Sequence, residues 1–115
     1  MSIALLGVSA DELRVLNRSF GGTMQINSTI EAVFQSASYV PSFWEKVAIV
    51  VRSIAAGHLF DNGNKRTAFE AVKLFRKRNQ IFTGTLDPQL RETVRLVAIH
   101  ELSDIQQIAV SLRGF

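Results

Sequence analysis

Apolar residues recur along most of this chain at intervals of three and four, the spacing that gathers them on one face of a helix. Leu13, Leu16 and Phe20 form the first stripe, preceded by Ser9-Ala10-Asp11-Glu12, which reads as a capping box. Gly21-Gly22 closes that helix and opens a loop, GGTMQIN. Ser28-Thr29-Ile30-Glu31 reads as a second capping box, ahead of a buried stripe of Ile30, Val33, Phe34 and Ala37. Pro41 and Ser42 start a third helix, whose VAIVV segment is apolar on every side. A helix without a solvent face belongs at the centre of a fold. Its stripe of Trp44, Val47, Val51 and Ile54 runs toward His58. Gly57 and the 59–63 loop interrupt it. The next helix is expected from near Asn64 to about Asn79, burying Ala68, Ala71, Val72 and Phe75.

IFTGT is then a short extended link, and Asp87-Pro88 reads as an N-cap with proline at the first helical position, leading to Leu90, Val94 and Val97. Ser103-Asp104-Ile105-Gln106 reads as a third capping box, before Ile105, Ile108, Ala109 and Leu112. Alternation with period two never persists long enough for a sheet. The pattern predicts an all-α bundle packed around a central buried helix, one domain spanning 1–115, with room for a small β-hairpin at 21–26.

Composition agrees with a globular domain: 115 residues, 47% apolar and 20% charged. There is no cysteine, which excludes disulfides and thiolate chemistry. IALLG is too short for a signal h-region and lacks a basic flank, and no apolar stretch approaches membrane-spanning length. A cytoplasmic protein is expected. The net charge of +3 raises nucleic acid as a partner. Lys65, Arg66, Lys73, Arg76, Lys77 and Arg78 supply six of thirteen basic residues, with only Glu70 among them. The last of these close a helix C-terminus, where cations offset the macrodipole. No aromatic or glycine interleaving accompanies them, so nucleic acid is not expected.

Candidate chemistry is concentrated in GHLFDNGNKRTAF, Gly57 to Phe69. Gly63 removes a side chain just where a helix begins, letting a ligand or another backbone approach. The first turn of that helix presents unpaired N–H groups and the positive end of the dipole. Lys65 and Arg66 in that turn are misplaced for stability, and make sense if an anion such as a phosphate sits there. The spacing is not that of a Walker loop. His58 can face the same cavity and is suited to take a proton from an attacking hydroxyl. Singly, each residue has a plainer explanation in packing, capping or turn formation; together the histidine, the glycine and the cations do not. His100 stands alone near a helix end and reads as surface.

At these residues the sequence resembles the Fic/Doc family, particularly its Doc (death-on-curing) branch. The signature H-x-F-x-D/E-A/G-N-K/G-R is matched by His58, Phe60, Gly63, Asn64, Lys65 and Arg66 of HLFDNGNKR. Lysine at 65, where most Fic proteins carry glycine, marks the Doc branch. FGGTMQINSTIEAVFQSA is similar to the Doc flap and following helix, FWEKVAIVVRSIAAGH to the central helix, and ELSDIQQIAVSLRGF to the closing helix.

The resemblance implies a helical toxin that uses ATP and Mg2+ to phosphorylate a threonine of translation elongation factor Tu, stopping protein synthesis. By the same carry-over His58 is the general base, with Arg66 beside it. Gly63, Asn64, Lys65 and Arg66 hold the phosphates, and Phe60 anchors the loop. Gly22, Thr23, Met24 and Gln25 form a flap that docks the target, by edge-strand pairing. The family's metal-holding acid belongs at 62, where this chain has Asn62, with Asp61 one residue earlier. An amide oxygen brings no charge, so a weaker hold on the metal is expected. Asp61 reaches the ion only if the loop shifts. No self-inhibitory S/T-x-x-x-E-G/N motif is present, so control is expected from a cognate antitoxin, or an immunity protein if the chain is a delivered toxin module. The alternatives are Fic-type AMP or nucleotidyl transfer, which Lys65 opposes, and a catalytically weakened Fic-fold binding protein, which Asn62 favours.

Overall fold

A computed structural model describes residues 3–114; of the expected 1–115 domain, Met1, Ser2 and Phe115 lie outside the described residues. Among the described residues six helices carry the fold: α1 (Ala10–Arg18), α2 (Ile30–Ser38), α3 (Phe43–Ala55), α4 (Asn64–Arg78), α5 (Asp87–Ala98) and α6 (Ile105–Arg113). A two-stranded antiparallel hairpin, β1 (Ala4–Leu5) and β2 (Val8–Ser9), precedes them.

The apolar helix predicted for the centre is there. α3 packs against α2, α4, α5 and α6, and Val47, Ala48, Val50, Val51, Ile54 and Ala55 are buried in it. Around it, Leu13, Ile30, Phe75, Leu90, Ile108 and Leu112 complete one apolar cluster. Phe34 and Phe75 meet edge-on at 6.4 Å between ring centroids. α1 closes the bundle against α2 and α4.

Caps set the helix starts, with small corrections to the expected ones. Ser9 and Glu12 form the reciprocal capping box ahead of α1, at 3.1 and 2.9 Å. At α2 the cap is Thr29 rather than Ser28: its hydroxyl accepts from Ala32 N–H, and Gln25 Oε1 takes the Ile30 N–H. At α6 the cap is Asp104 rather than Ser103, accepting from Gln107 N–H. α5 begins one residue early, with Leu86 as N-cap and Asp87 already helical. Adjacent capping residues compete for one role, and tertiary fit decides between them.

The hairpin also lies elsewhere than expected. Residues 21–26 do not pair with one another; Gln25 pairs instead with Phe60 in an isolated antiparallel bridge. The actual hairpin turns at Leu6-Gly7, both with positive φ, 52° and 79°, the conformation a two-residue hairpin turn needs. Leucine rarely adopts it. Here the turn is held by α4: Asn79 Nδ2 donates to Leu6 O at 2.8 Å and Arg78 to Gly7 O at 2.6 Å.

Candidate active site

The corner between α3 and α4 is built from backbone outward. α3 ends at Ala55, and His58 follows with φ of +47°, left-handed for a residue with a Cβ. That conformation is costly and persists only where the surroundings impose it. Asn27 does so: its amide nitrogen donates to Gly57 O at 3.1 Å and His58 O at 2.9 Å. Leu59 and Phe60 then turn inward and are buried. His58 itself stays exposed.

Asn64 closes the loop from the other side. Its side chain accepts from Phe60 N–H at 3.0 Å and donates to Phe60 O at 2.9 Å, so its amide is occupied by the chain itself. Gly63 is the N-cap of α4 at φ +72°. A Cβ there would stand 2.6 Å from Phe20 O, so the end of α1 can pass only over a glycine. α4 starts without a side-chain cap and without an acid in its first turn. No partner among the described residues takes the N–H groups of Asn64, Lys65 and Arg66, which are left at the positive end of the helix dipole. Lys65 and Arg66 are exposed and make no ion pair among the described residues; the Arg66 guanidinium rests 4.9 Å over the Phe20 ring.

From that helix end a cleft of about 410 Å³ runs between α4 and α5. Lys65, Arg66, Phe69, Pro88, Arg91 and Arg95 are among its lining residues. Arg91 and Lys73 flank the Phe69 ring at 4.8 and 5.3 Å. The lining does not include His58, Asn62 or Asn64. The cleft thus joins two of the predicted phosphate residues to Phe69 and Arg91, and His58 lies outside it.

The segment expected to form the flap, residues 21–26, lies along the motif loop. Ile26 N–H donates to Leu59 O at 2.8 Å and Asp61 N–H to Met24 O at 3.0 Å. Gln25 N–H and C=O therefore point to the opposite, unpaired edge. Gly22 is buried, and a Cβ on it would collide with Asn17 Oδ1 at 1.7 Å. Of the four predicted docking residues, Thr23 and Met24 are exposed and Gln25 is half-buried, its backbone facing the free edge.

Asp61 and Asn62 go separate ways. The Asp61 carboxylate accepts from the Thr23 hydroxyl, from Thr23 N–H at 2.8 Å and from Met24 N–H at 3.2 Å. Those bonds, the Thr23 hydroxyl first, hold its pKa down at about 2. Asn62 Oδ1 accepts from Gly63 N–H at 2.9 Å, and Asn62 O accepts from Asn17. Among the described residues no group of three His, Asp or Glu could hold a metal ion. These bonds take three of the four Asp61 carboxylate lone pairs and one of the two on Asn62 Oδ1, so the fit to a protein-held magnesium is poor.

Two positions that the sequence reading passed over matter here. Asn17 is buried at the end of α1 and donates to Asn62 O at 2.8 Å and Thr67 Oγ1 at 3.1 Å, tying three segments together. A polar residue four positions after Leu13, on the buried face, was the available signal. Asn27, which holds His58, had none beyond being a turn residue.

The Fic/DOC family model matches residues 8–76, which takes in α1 to most of α4 and the whole corner. A protein named Toxin Doc from Mycolicibacterium smegmatis (strain ATCC 700084 / mc(2)155) is 26% identical over 115 residues, an alignment covering 91% of this chain and 88% of that protein.

Proposed function

The chain belongs to the Fic/Doc family of nucleotide-using transferases, and on that premise we propose that it is a Doc-like toxin moving the γ-phosphate of ATP onto a hydroxyl of a host protein. By the resemblance the acceptor is a threonine of elongation factor Tu. One observation carries the reading: the start of α4 has no capping side chain and no acid, yet carries Lys65 and Arg66. A protein that stabilised this helix for its own sake would put carboxylates there.

In this mechanism the phosphate oxygens meet the free N–H groups of Asn64, Lys65 and Arg66, with the two cations alongside. The cleft beyond them accommodates the rest of the nucleotide. His58 takes the proton of the acceptor hydroxyl; the oxygen attacks the γ-phosphorus, the bond to the β–γ bridging oxygen breaks, and ADP leaves. Asn64 acts through Phe60, holding the loop rather than the ligand with its side chain. The acceptor segment adds as a strand to the free edge at Gln25. Magnesium would supply charge neutralisation to the phosphates, but this chain's residues do not fit a tight site for it. An antitoxin or immunity protein is the partner expected to block the site.

The commitments of Asp61 and Asn62 favour a second reading, a Fic-fold binding protein with little transfer. The experiment that separates them supplies ATP labelled at the γ- or the α-phosphate, with magnesium, to purified elongation factor Tu and to whole lysate. Incorporation from γ alone, lost in His58→Ala by about 10²- to 10⁴-fold, supports the kinase. Incorporation from α moves the protein to AMP transfer. No incorporation from either sinks both transferase readings for those acceptors.

A further inference from the structure

The acid of this loop stands at Asp61 and the amide at Asn62, and the geometry explains that order. Three donors from two consecutive flap residues converge on the Asp61 carboxylate: Thr23 N–H and Met24 N–H on Oδ1, and the Thr23 hydroxyl on Oδ2. Besides these, two backbone bonds join segments 24–26 and 59–61. So short a ladder is marginal by itself. Between its flanking anchors, the Gly22 N–H on Asn17 O and the Asn27 amide on Gly57 O and His58 O, the flap packs little, since Thr23, Met24 and Ile26 are exposed. From position 62 the same support is missing, because that side chain folds back onto Gly63 N–H. An amide at 61 would offer one acceptor oxygen in place of two.

We propose that Asp61 is a positioning residue: it latches the flap onto the motif loop, and so fixes the acceptor-docking edge at Gln25 relative to His58. The latch takes three of the four carboxylate lone pairs, two on Oδ1 and one on Oδ2, so Asp61 has at most one left for a metal. The latch is a statement about the flap; its kinetic consequence rests on the phosphate-transfer reading above.

The test compares wild type, Asp61→Asn, Thr23→Val and the double exchange Asp61→Asn with Asn62→Asp. Amide hydrogen exchange is followed at Ile26 and Asp61, whose N–H groups form the flap ladder, with and without magnesium alone. The latch requires exchange at these two amides to quicken by roughly three- to tenfold in Asp61→Asn and in the double exchange. Thr23→Val should show a smaller increase. α3 and α4 amides should be unchanged, and magnesium without effect on the wild type. In transfer assays, Asp61→Asn should raise KM for the protein acceptor and leave KM for ATP unmoved. Unchanged flap exchange in Asp61→Asn overturns the latch, as does quickened wild-type flap exchange on adding magnesium. A rise in KM for ATP in place of KM for the acceptor also overturns it. If no variant, wild type included, transfers phosphate, the transferase reading fails while the exchange data still judge the latch.

Discussion

Asn27 spends one side-chain nitrogen on two successive carbonyls, those of Gly57 and His58. Beside it, the Leu59 N–H donates to Ile54 O at 3.4 Å across the left-handed residue, as at the end of a helix. Replacing Asn27 by alanine should lower transfer between about 10- and 100-fold through a misplaced base, with the unfolding midpoint nearly unchanged. Loss of transfer together with a large loss of stability would show that Asn27 serves the fold instead. Gly63→Ala belongs to the same scale with the opposite signature. Positive φ and the 2.6 Å approach to Phe20 O together should cost about 2 kcal/mol or more, read by denaturant unfolding. Residue chemistry was legible here where it was local. The uncapped, cationic start of α4 follows from Gly63, Lys65 and Arg66 in sequence. The partners of Asn17, Asn27 and Asp61 lie 30 or more positions away, and no local pattern reports such pairs.

At the scale of elements, the buried stripes forecast each helix because burial at every third and fourth position is a property of one segment alone. Pairing between segments is not, which is why residues 21–26 read as a hairpin and are in fact one strand of a bridge to Phe60. The Leu6-Gly7 hairpin was hidden for another reason: its turn lacks Asn-Gly and draws on Arg78 and Asn79 at the end of α4. Arg78 also pairs with Glu12 and joins α1 to α4. That guanidinium, followed by the Ser9 N–H, lowers the Glu12 pKa from its usual 4.5 to about 2. The fold therefore favours the ionised form. Its contribution is complete above about pH 4.5 and is lost as pH falls from there toward 2. Both side chains are more than a third exposed, so the effect should stay below about 1 kcal/mol. Glu12→Gln should flatten the acid limb of the stability curve by that amount; an identical limb would show the pair to be idle.

For the molecule as a whole, the basic residues divide by task. Lys73 pairs with Asp87, Arg76 donates to Thr85 O, and Arg78 pairs with Glu12, so much of the charge that suggested nucleic acid knits α4 to its neighbours. Lys65 and Arg66 are left facing the cleft. Further along α4, Phe75 is wholly buried against the core. Phe75→Ala should cost about 3–5 kcal/mol in unfolding free energy. We propose that the start of α4 holds phosphate and that His58 acts as a base without holding the nucleotide. Calorimetric titration of ATP into wild type, Lys65→Ala with Arg66→Ala, and His58→Ala tests it most directly. The expected result is an affinity reduced about tenfold or more in the double variant and unchanged in His58→Ala. Equal affinity in the double variant, or ATP binding lost in His58→Ala alone, would contradict it.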